Sequence, residues 1–549
     1  MDRKLDSSLS SRERIQGVFD QLESIKSICR VPSISVGIIH EGKVLFQGSV
    51  GLRDVEEEQP ADENTVYMLG SCSKMFLAAA VGILVDKGVM SWDDPIQKHV
   101  PDFNPLGDPE IGERATIRNA LSHTTGLGRP QTVAWGPNGC AVVDESSFVQ
   151  LLNHAQTEDQ EGPRFRRKQY YYSNQAYAVV ALAVQNVSGS RYSDFLEENI
   201  FKPLGMHDTV AGDRGIEACH NKAHGYAKLQ DGSFTKIDTS SWTDDKNSPN
   251  LAPAGIRSSV KDMLIWLTAL LDSQRNEGAG NRAIRELSSI WKAQADIGPD
   301  LAYCLGWYRG HLPSPGFGGI SINYRTFSHD PDSYLEKYVI GRESPRKTFI
   351  GHSGNIAGFA CSTYVFPETS SAVVAMANGL DLGDAADFAV KLFTQALLDS
   401  KPAVDIVELA KQEATHHERF FEGMLLDWLK FRDVGPREPD IENFVGTYEG
   451  FSIRINVFIR EETGRLAFNF NSLEKSECDL EFYCKDDEFE IYSFMPLKRD
   501  EWLSRGMMDW DNYAVGLFYF TRDEDTGEVD ALCWLYEPVE PMAWFMKSN

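Results

Sequence analysis

Three short runs hold side chains able to do nucleophilic chemistry. The first is Gly70-Ser71-Cys72-Ser73-Lys74, followed by Met75, Ala78, Ala79, Ile83 and Leu84 at helical spacing as far as Lys87-Gly88. Residues three apart share one helical face, so Lys74 can bring an amine to the Ser71 hydroxyl. A serine hydroxyl attacks a carbonyl once a base takes its proton, and a lysine is that base when burial depresses its pKa. The spacing predicts a long helix beginning at Ser71, whose free N–H groups would stabilise negative charge on a carbonyl oxygen. The pattern alone is weak, since about two Ser-x-x-Lys matches arise by chance in a chain of this length.

The second run is Tyr170-Tyr171-Tyr172-Ser173-Asn174, directly before an apolar helical stretch. A Tyr-x-Asn in a short loop can aim a phenol and an amide into one cleft, offering proton transfer and a substrate hydrogen bond; plain aromatic packing is the competing explanation. The third is Gly351-His352-Ser353-Gly354-Asn355. It reads as an edge strand whose small residues let a substrate backbone approach closely.

The elements that must position these groups are legible in outline. Val31 to Val50 alternates around Glu41-Gly42 as a β-hairpin. The same stretch mimics a phosphate loop at Gly37 to Lys43, but Val44 stands where a Ser or Thr would reach a magnesium ion. Helical patterns cover Gln175 to Ser188, Tyr192 to Phe201 and Val260 to Leu271, the last opened by Ser259 with Asp262 as a variant capping box. Strand-like runs at Thr363 to Phe366 and Ala372 to Ala377 interleave with them without a regular βαβ beat. Arg129 to Lys168 and His311 to Lys347 read as long inserted loops.

The net charge is −27, with 54 Lys and Arg against 81 Asp and Glu. A chain this acidic, with no long basic run, is not built to hold nucleic acid. Between Pro436 and Asn549 there are 11 basic and 25 acidic residues, so the last fifth carries about half of the net charge. There Ile453, Ile455, Val457 and Ile459 alternate with Arg454, Asn456, Phe458 and Arg460, and Asp525-Thr526-Gly527 marks a turn between late strands. The expectation is a catalytic domain over 1–401, a charged helical connector over 402–435 and an antiparallel β domain over 436–549.

No apolar run is long enough to cross a bilayer, and the charged N-terminal stretch reads as no signal peptide. Nine scattered cysteines without a Cys-x-x-Cys pair point away from a disulfide framework or zinc site and toward a reducing, cytoplasmic setting. His416-His417-Glu418 lacks the second histidine of a zinc-protease helix, and no Gly-x-Ser-x-Gly occurs, so neither a metal centre nor an α/β-hydrolase elbow is expected.

Serine-lysine at a helix start, Tyr-x-Asn about a hundred residues on, and a His-Ser-Gly strand far downstream form a set that resembles the serine β-lactamases and penicillin-binding proteins. The chain is most similar to their class C-related branch of esterases, D-aminopeptidases and acyltransferases. The likeness runs from about residue 15 to 400 and includes Asn64-Thr-Val-Tyr67, Asp93-Asp-Pro95, Thr116 to Leu127, Phe201 to Met206, Ala252-Pro-Ala-Gly255 and Ala377-Asn-Gly379.

The resemblance implies an α/β (α+β) fold, an antiparallel sheet flanked by helices with a helical subdomain. It makes Ser71 the nucleophile and gives the acid–base work to Lys74 and Tyr172 as a coupled pair, with the first proton acceptor open between them. It assigns Asn174, His352, Ser353, Gly354 and Asn355 to substrate binding, with the N–H groups of Ser71 and Asn355 as the oxyanion hole. His352 departs from the lysine that β-lactamases use to attract a substrate carboxylate, so strong β-lactamase activity is not expected.

The implied reaction is a cofactor-free serine hydrolysis of a small-molecule ester, amide or peptide through an acyl-enzyme. Alternatives are acyl transfer to an alcohol or amine, or a non-catalytic binding shell. The Phe444-Val-Gly-Thr-Tyr448 entry to the last domain is similar to the lipocalin-like barrel of some members.

Overall fold

The computed structural model describes residues 9–548 apart from 159 (side chain only), 160, 213–215, 217–218, 241–247, 277–282, 299, 319–320, 324–338, 434–439, 508–511 and 539. A nine-stranded antiparallel sheet forms the centre of the N-terminal part. Its spatial order is Ala295–Gly298, Leu301–Tyr303, Tyr308–Leu312, Lys347–Ile356, Phe359–Phe366, Ser371–Ala377, Ser33–His40, Lys43–Asp54 and Gln59–Pro60. The hairpin predicted at Glu41-Gly42 is present as a two-residue connection. Both turn residues have positive φ, 50° and 74°, the type I′ geometry that suits the twist of paired strands.

Both faces of this sheet are covered, which is why its middle strands read as unbroken apolar runs. In Ser371–Ala377, Val373, Ala375 and Ala377 pack with the helices Ser11–Phe19 and Ala385–Leu398. The intervening Ala372, Val374 and Met376 join the opposite core, with the helices Lys74–Asp86, Asn174–Ser188 and Val260–Arg275. The period of two thus assigns each face to its own helical layer. Ser259 accepts from the Asp262 N–H as expected of an N-cap, but the Asp262 carboxylate turns instead to the Asp208 N–H and Thr209 hydroxyl, so no reciprocal box forms.

Two expectations are corrected and a third holds in part. The stretch Arg129 to Lys168 is not a loop: it holds the helix Glu145–Asn153, short turns and a small hairpin, and buries Val133, Val142, Phe148, Leu151 and Leu152 in the main core. Its irregular sequence reflects its other task, seating the C-terminal domain. Asn138 donates to the carbonyls of Lys475 and Glu477, and Asn471 donates to that of Val142. The helix expected from Ser71 starts one turn later, at Lys74, and Ser71 sits in a 3₁₀ turn, Gly70–Ser73. The His352 strand, Lys347–Ile356, lies inside the sheet only over its first half. Its second half, His352 to Ile356, has a neighbour on one side only among the described residues, so the His352-Ser353-Gly354-Asn355 run itself lies on an open edge. The predicted loop His311 to Lys347 lies partly outside the described residues.

The C-terminal part is a nearly closed antiparallel barrel of nine strands, from Cys478–Asp479 round to Glu481–Lys485, so the two ends of the sheet are consecutive in the chain. Ile453, Ile455 and Val457 point inward as their alternation predicts. The interior is filled by rings: Phe468 packs on Phe470, Phe494 and Phe518, and Phe470 on Trp534. The helix Ile406–Lys430 runs between the two parts as a packed strut. Ile406 and Leu409 join the N-terminal core, while Trp428 donates to Ser493 of the barrel. Among the described residues no helix is long and apolar enough to cross a membrane.

Candidate active site

The three runs converge. The close approach that small residues were expected to give a substrate is instead made by the Ser71 turn. Gly354 lies so tight against that turn that a Cβ there would be 2.0 Å from the Leu69 carbonyl oxygen and 2.7 Å from the Ser71 nitrogen. Gly70, at φ 52°, returns the contact: a Cβ on it would be 3.0 Å from the Asn355 nitrogen. Two glycines in contact therefore bring the Ser71 and Asn355 amides together.

Ser71 Oγ is 3.0 Å from Lys74 Nζ and accepts from the Tyr172 hydroxyl at 2.8 Å. Lys74 also donates to Asn174 Oδ1 at 2.6 Å and to the Pro253 carbonyl at 3.0 Å. Two oxygens thus take two amine hydrogens, and the third position of nitrogen faces the serine. Lys74 has no accessible surface, and its three polar partners are all neutral oxygens. Burial drives its pKa well below the usual lysine value, with the Cys72 thiol as the small opposing influence. Burial likewise lifts the Tyr172 phenol well above its usual value, against the lowering effect of the Ser71 hydrogen bond. Burial thus favours the neutral amine at Lys74 and the protonated phenol at Tyr172, the two groups that face Ser71.

Asn174 spends its carbonyl on Lys74 and donates its amide to Gln131 Oε1. Ser353 Oγ bonds Ser362 Oγ, and Asn355 Nδ2 donates to Asp384, the buried N-cap of the helix Ala385–Leu398. Burial and the Asp387 charge raise Asp384 to about 6. His352 Nδ1 is 2.6 Å from the Ser353 carbonyl, which can only accept, so Nδ1 carries the hydrogen and Nε2 receives the Tyr303 hydroxyl at 3.2 Å. Burial, then the nearby Lys74, lowers its pKa to about 3, so it is neutral at physiological pH.

Sequence reasoning assigned no role to His123, Tyr303 or Tyr308. His123, at φ 58°, accepts the Ser173 N–H on Nδ1 and the Tyr171 N–H on its carbonyl, and its ring lies 4.2 Å from that of Tyr172. It holds the loop from beneath. Tyr303 and Tyr308 pack around His352, while the rings of Tyr172 and Tyr177 cover the Lys74 amine. His123 stood in a family landmark, Thr116 to Leu127, but a histidine's role there depends on a loop fifty residues away in sequence. A cavity of about 490 Å³ opens over the site, lined by Ser71, Tyr172, Asn174, His352, Arg129 and, from the C-terminal part, Glu537. Two larger hollows, of about 720 and 660 Å³, contain none of the three reacting groups. Among the described residues no cluster of His, Cys, Asp and Glu could hold a metal ion.

A sheet flanked by helices with this serine, lysine and tyrosine arrangement is the fold of the penicillin-recognising proteins, and residues 19–395 match the Beta-lactamase family model. The chain belongs to that family. Penicillin-binding protein 4* of Bacillus subtilis is 29% identical over 194 residues, covering 34% of this chain and 40% of its own length. An unguisins hydrolase of Aspergillus violaceofuscus is 26% identical over 391 residues, covering 65% of this chain and 59% of its own, so the chain spans under two thirds of either relative. A beta-lactamase of Yersinia enterocolitica is 24% identical over 350 residues, 63% of this chain and 82% of that protein. An octameric penicillin-binding protein homologue from Pyrococcus abyssi has a similar fold, with a TM-score of 0.55 at 18% identity, over 97% of this chain and 99% of that one.

Proposed function

We propose that the protein is a serine hydrolase that forms an acyl-enzyme on Ser71 with a small-molecule ester, amide or peptide. The observation that carries this reading is the directed network at Ser71: a phenolic proton on one side and a buried amine on the other. Lys74 takes the Ser71 proton as Oγ attacks the carbonyl carbon. The new ammonium keeps three acceptors, Asn174 Oδ1, the Pro253 carbonyl and Ser71 Oγ, so its charge is solvated by atoms already in place. Tyr172 then passes its proton to the leaving oxygen or nitrogen and recovers one from Lys74. Water repeats the steps to release the acid. The Ser71 and Asn355 amides receive the oxyanion.

Neutral His352 provides no cation, and Arg129 in the cavity wall is offset by Glu537 at 2.9 Å. Both features favour an uncharged carbonyl substrate over a carboxylate-bearing β-lactam. The hydrolase named among the relatives favours water as the acyl acceptor over transfer. The ring-filled barrel, lipocalin-like in its strand pattern, fits a structural part rather than a ligand carrier.

Intact-protein mass spectrometry after exposure to a fluorophosphonate tests the reading. One adduct per chain is expected on the parent protein and none on Ser71→Ala; an unlabelled parent refutes it. The pH profile is a second check. Because the amine is the active form and its pKa is depressed, acylation should rise through a midpoint well under 10.5 and then level off. His352 should add no inflection between pH 5 and 8, so His352→Gln should leave the shape of the profile unchanged. A limb near 6.5 that disappears in that variant would show a titrating histidine instead.

A further inference from the structure

The barrel reaches the catalytic loop at one place. After the strand Val529–Trp534, the Glu540 N–H donates to the Glu537 carbonyl at 3.0 Å. Glu537 pairs with Arg129 at 2.9 Å. Glu540, whose side chain is fully buried, takes Arg164 with both oxygens, at 3.1 and 2.8 Å. Both guanidiniums lie over the ring of Tyr171, 4.5 and 4.4 Å from its centroid, and the Tyr171 hydroxyl donates to Glu540 at 2.7 Å. Gly128 leaves the room this needs, since a Cβ there would be 3.0 Å from Glu540 Oε1. Thr132 also donates to the Tyr536 carbonyl.

Tyr171 is the residue before Tyr172, and nothing in Ser71 chemistry uses it. Its backbone N–H is fixed to the His123 carbonyl, so the peptide is held by the catalytic part and the side chain by the barrel. A buried bidentate carboxylate–guanidinium pair is a costly device for filling space and a good one for fixing geometry. We propose that the C-terminal barrel is a working part of the active site: Glu540, through Arg164 and Tyr171, is a positioning residue that sets the reach of the Tyr172 hydroxyl to Ser71. This rests on the hydrolase reading above for its catalytic half and on the contacts alone for its positional half.

The experiment is a pair of cycles on the full chain. Glu540→Gln and the milder Tyr171→Phe, which removes only the hydroxyl that Glu540 accepts, are each made in the parent and in Tyr172→Phe. Ser71 acylation by a small alkyl ester, whose alcohol leaving group needs the Tyr172 proton and which is too small to touch Glu537, is then timed. A drop of about tenfold or more is expected in the parent background, and little further drop once Tyr172 is phenylalanine, because both changes act through the same hydroxyl. Equal drops in both backgrounds, or none, overturn the proposal, and Glu540→Asp should recover part of the rate. Should Glu540→Gln fold poorly, Tyr171→Phe alone decides. Amide exchange at Tyr171 and Ser173 is the arm that does not need activity: faster exchange in the variants is expected, and unchanged exchange overturns the positional half. A parent protein that the fluorophosphonate leaves unlabelled overturns the hydrolase reading and the catalytic half with it, and leaves the exchange result to stand by itself.

Discussion

Replacing Lys74 with methionine is expected to slow acylation of Ser71 by about a thousandfold or more, at the upper end of what a general base contributes. Methionine keeps the volume of the side chain but removes the lone pair. Lys74→Arg should be as slow for the opposite reason: a guanidinium donates hydrogen bonds to Asn174 and Pro253 but cannot shed a proton at any usable pH. If Tyr172 were the first base, Lys74→Arg would keep much of its rate, because the guanidinium would still stabilise a phenolate, whereas Lys74→Met would not. Burial argues against that. It raises Tyr172 and lowers Lys74, so it disfavours the phenolate and favours the free amine. Timed labelling of the two variants and of Tyr172→Phe separates the cases; a parent-like rate in Lys74→Arg would reverse the assignment.

The second large effect comes from a single methyl group. Gly354→Ala puts a Cβ 2.0 Å from the Leu69 carbonyl oxygen, 2.7 Å from the Ser71 nitrogen and 2.9 Å from the Cys72 nitrogen. All three are backbone atoms, so no side chain can swing aside and the turn itself must retreat. The backbone at Gly354 is ordinary strand, so the penalty is steric rather than conformational. A shift of about 1 Å in a nucleophile costs on the order of a hundredfold in rate, and overpacking of this kind costs about 1–3 kcal/mol of stability. Gly423→Ala is the matched control. Gly423 is on the exposed side of the helix Ile406–Lys430 with nothing near its missing Cβ, and alanine there should add about 0.5–1 kcal/mol. Thermal unfolding and labelling rates read both variants; a Gly354→Ala protein with parent stability and rate would mean that the turn has slack the contacts deny.

The period-two and helical patterns made the central strands, the long helices and the barrel strands legible in the sequence. They are regular segments with one or two buried faces, and burial leaves its period in the letters. The Ser71, Lys74 and Tyr172 positions were readable because each lay in a motif with its own local logic. The pieces that escaped are those whose meaning comes from a distant partner. Gly354 looked like a place for substrate, because the sequence cannot show that the Ser71 turn occupies that space. Asn174 reads as a substrate ligand and lines the cavity, and what the sequence does not show is that its carbonyl also bonds Lys74, a partner a hundred positions away. The stretch Arg129 to Lys168 lacks periodicity because it packs on the main core and also bonds the C-terminal barrel, so its residues follow two surfaces at once. Glu540 carried no local signal at all; a lone glutamate near a chain's end resembles any solvated charge until Arg164 is placed beside it.

The register of the central sheet has a consequence for how the chain is made. Ile34 lies opposite Ala377, so the first hairpin waits for its inner neighbour until more than three hundred further residues have been added. At about 5–20 residues per second, that is a wait of about 20–70 s for a ribosome. Throughout it, Val36 and Ile38, buried in the finished molecule, sit on a strand with one side unpaired. Nascent chains of this protein should therefore be clients of holding chaperones during synthesis, and truncation anywhere between the hairpin and Ala377 should yield aggregates rather than a smaller folded protein.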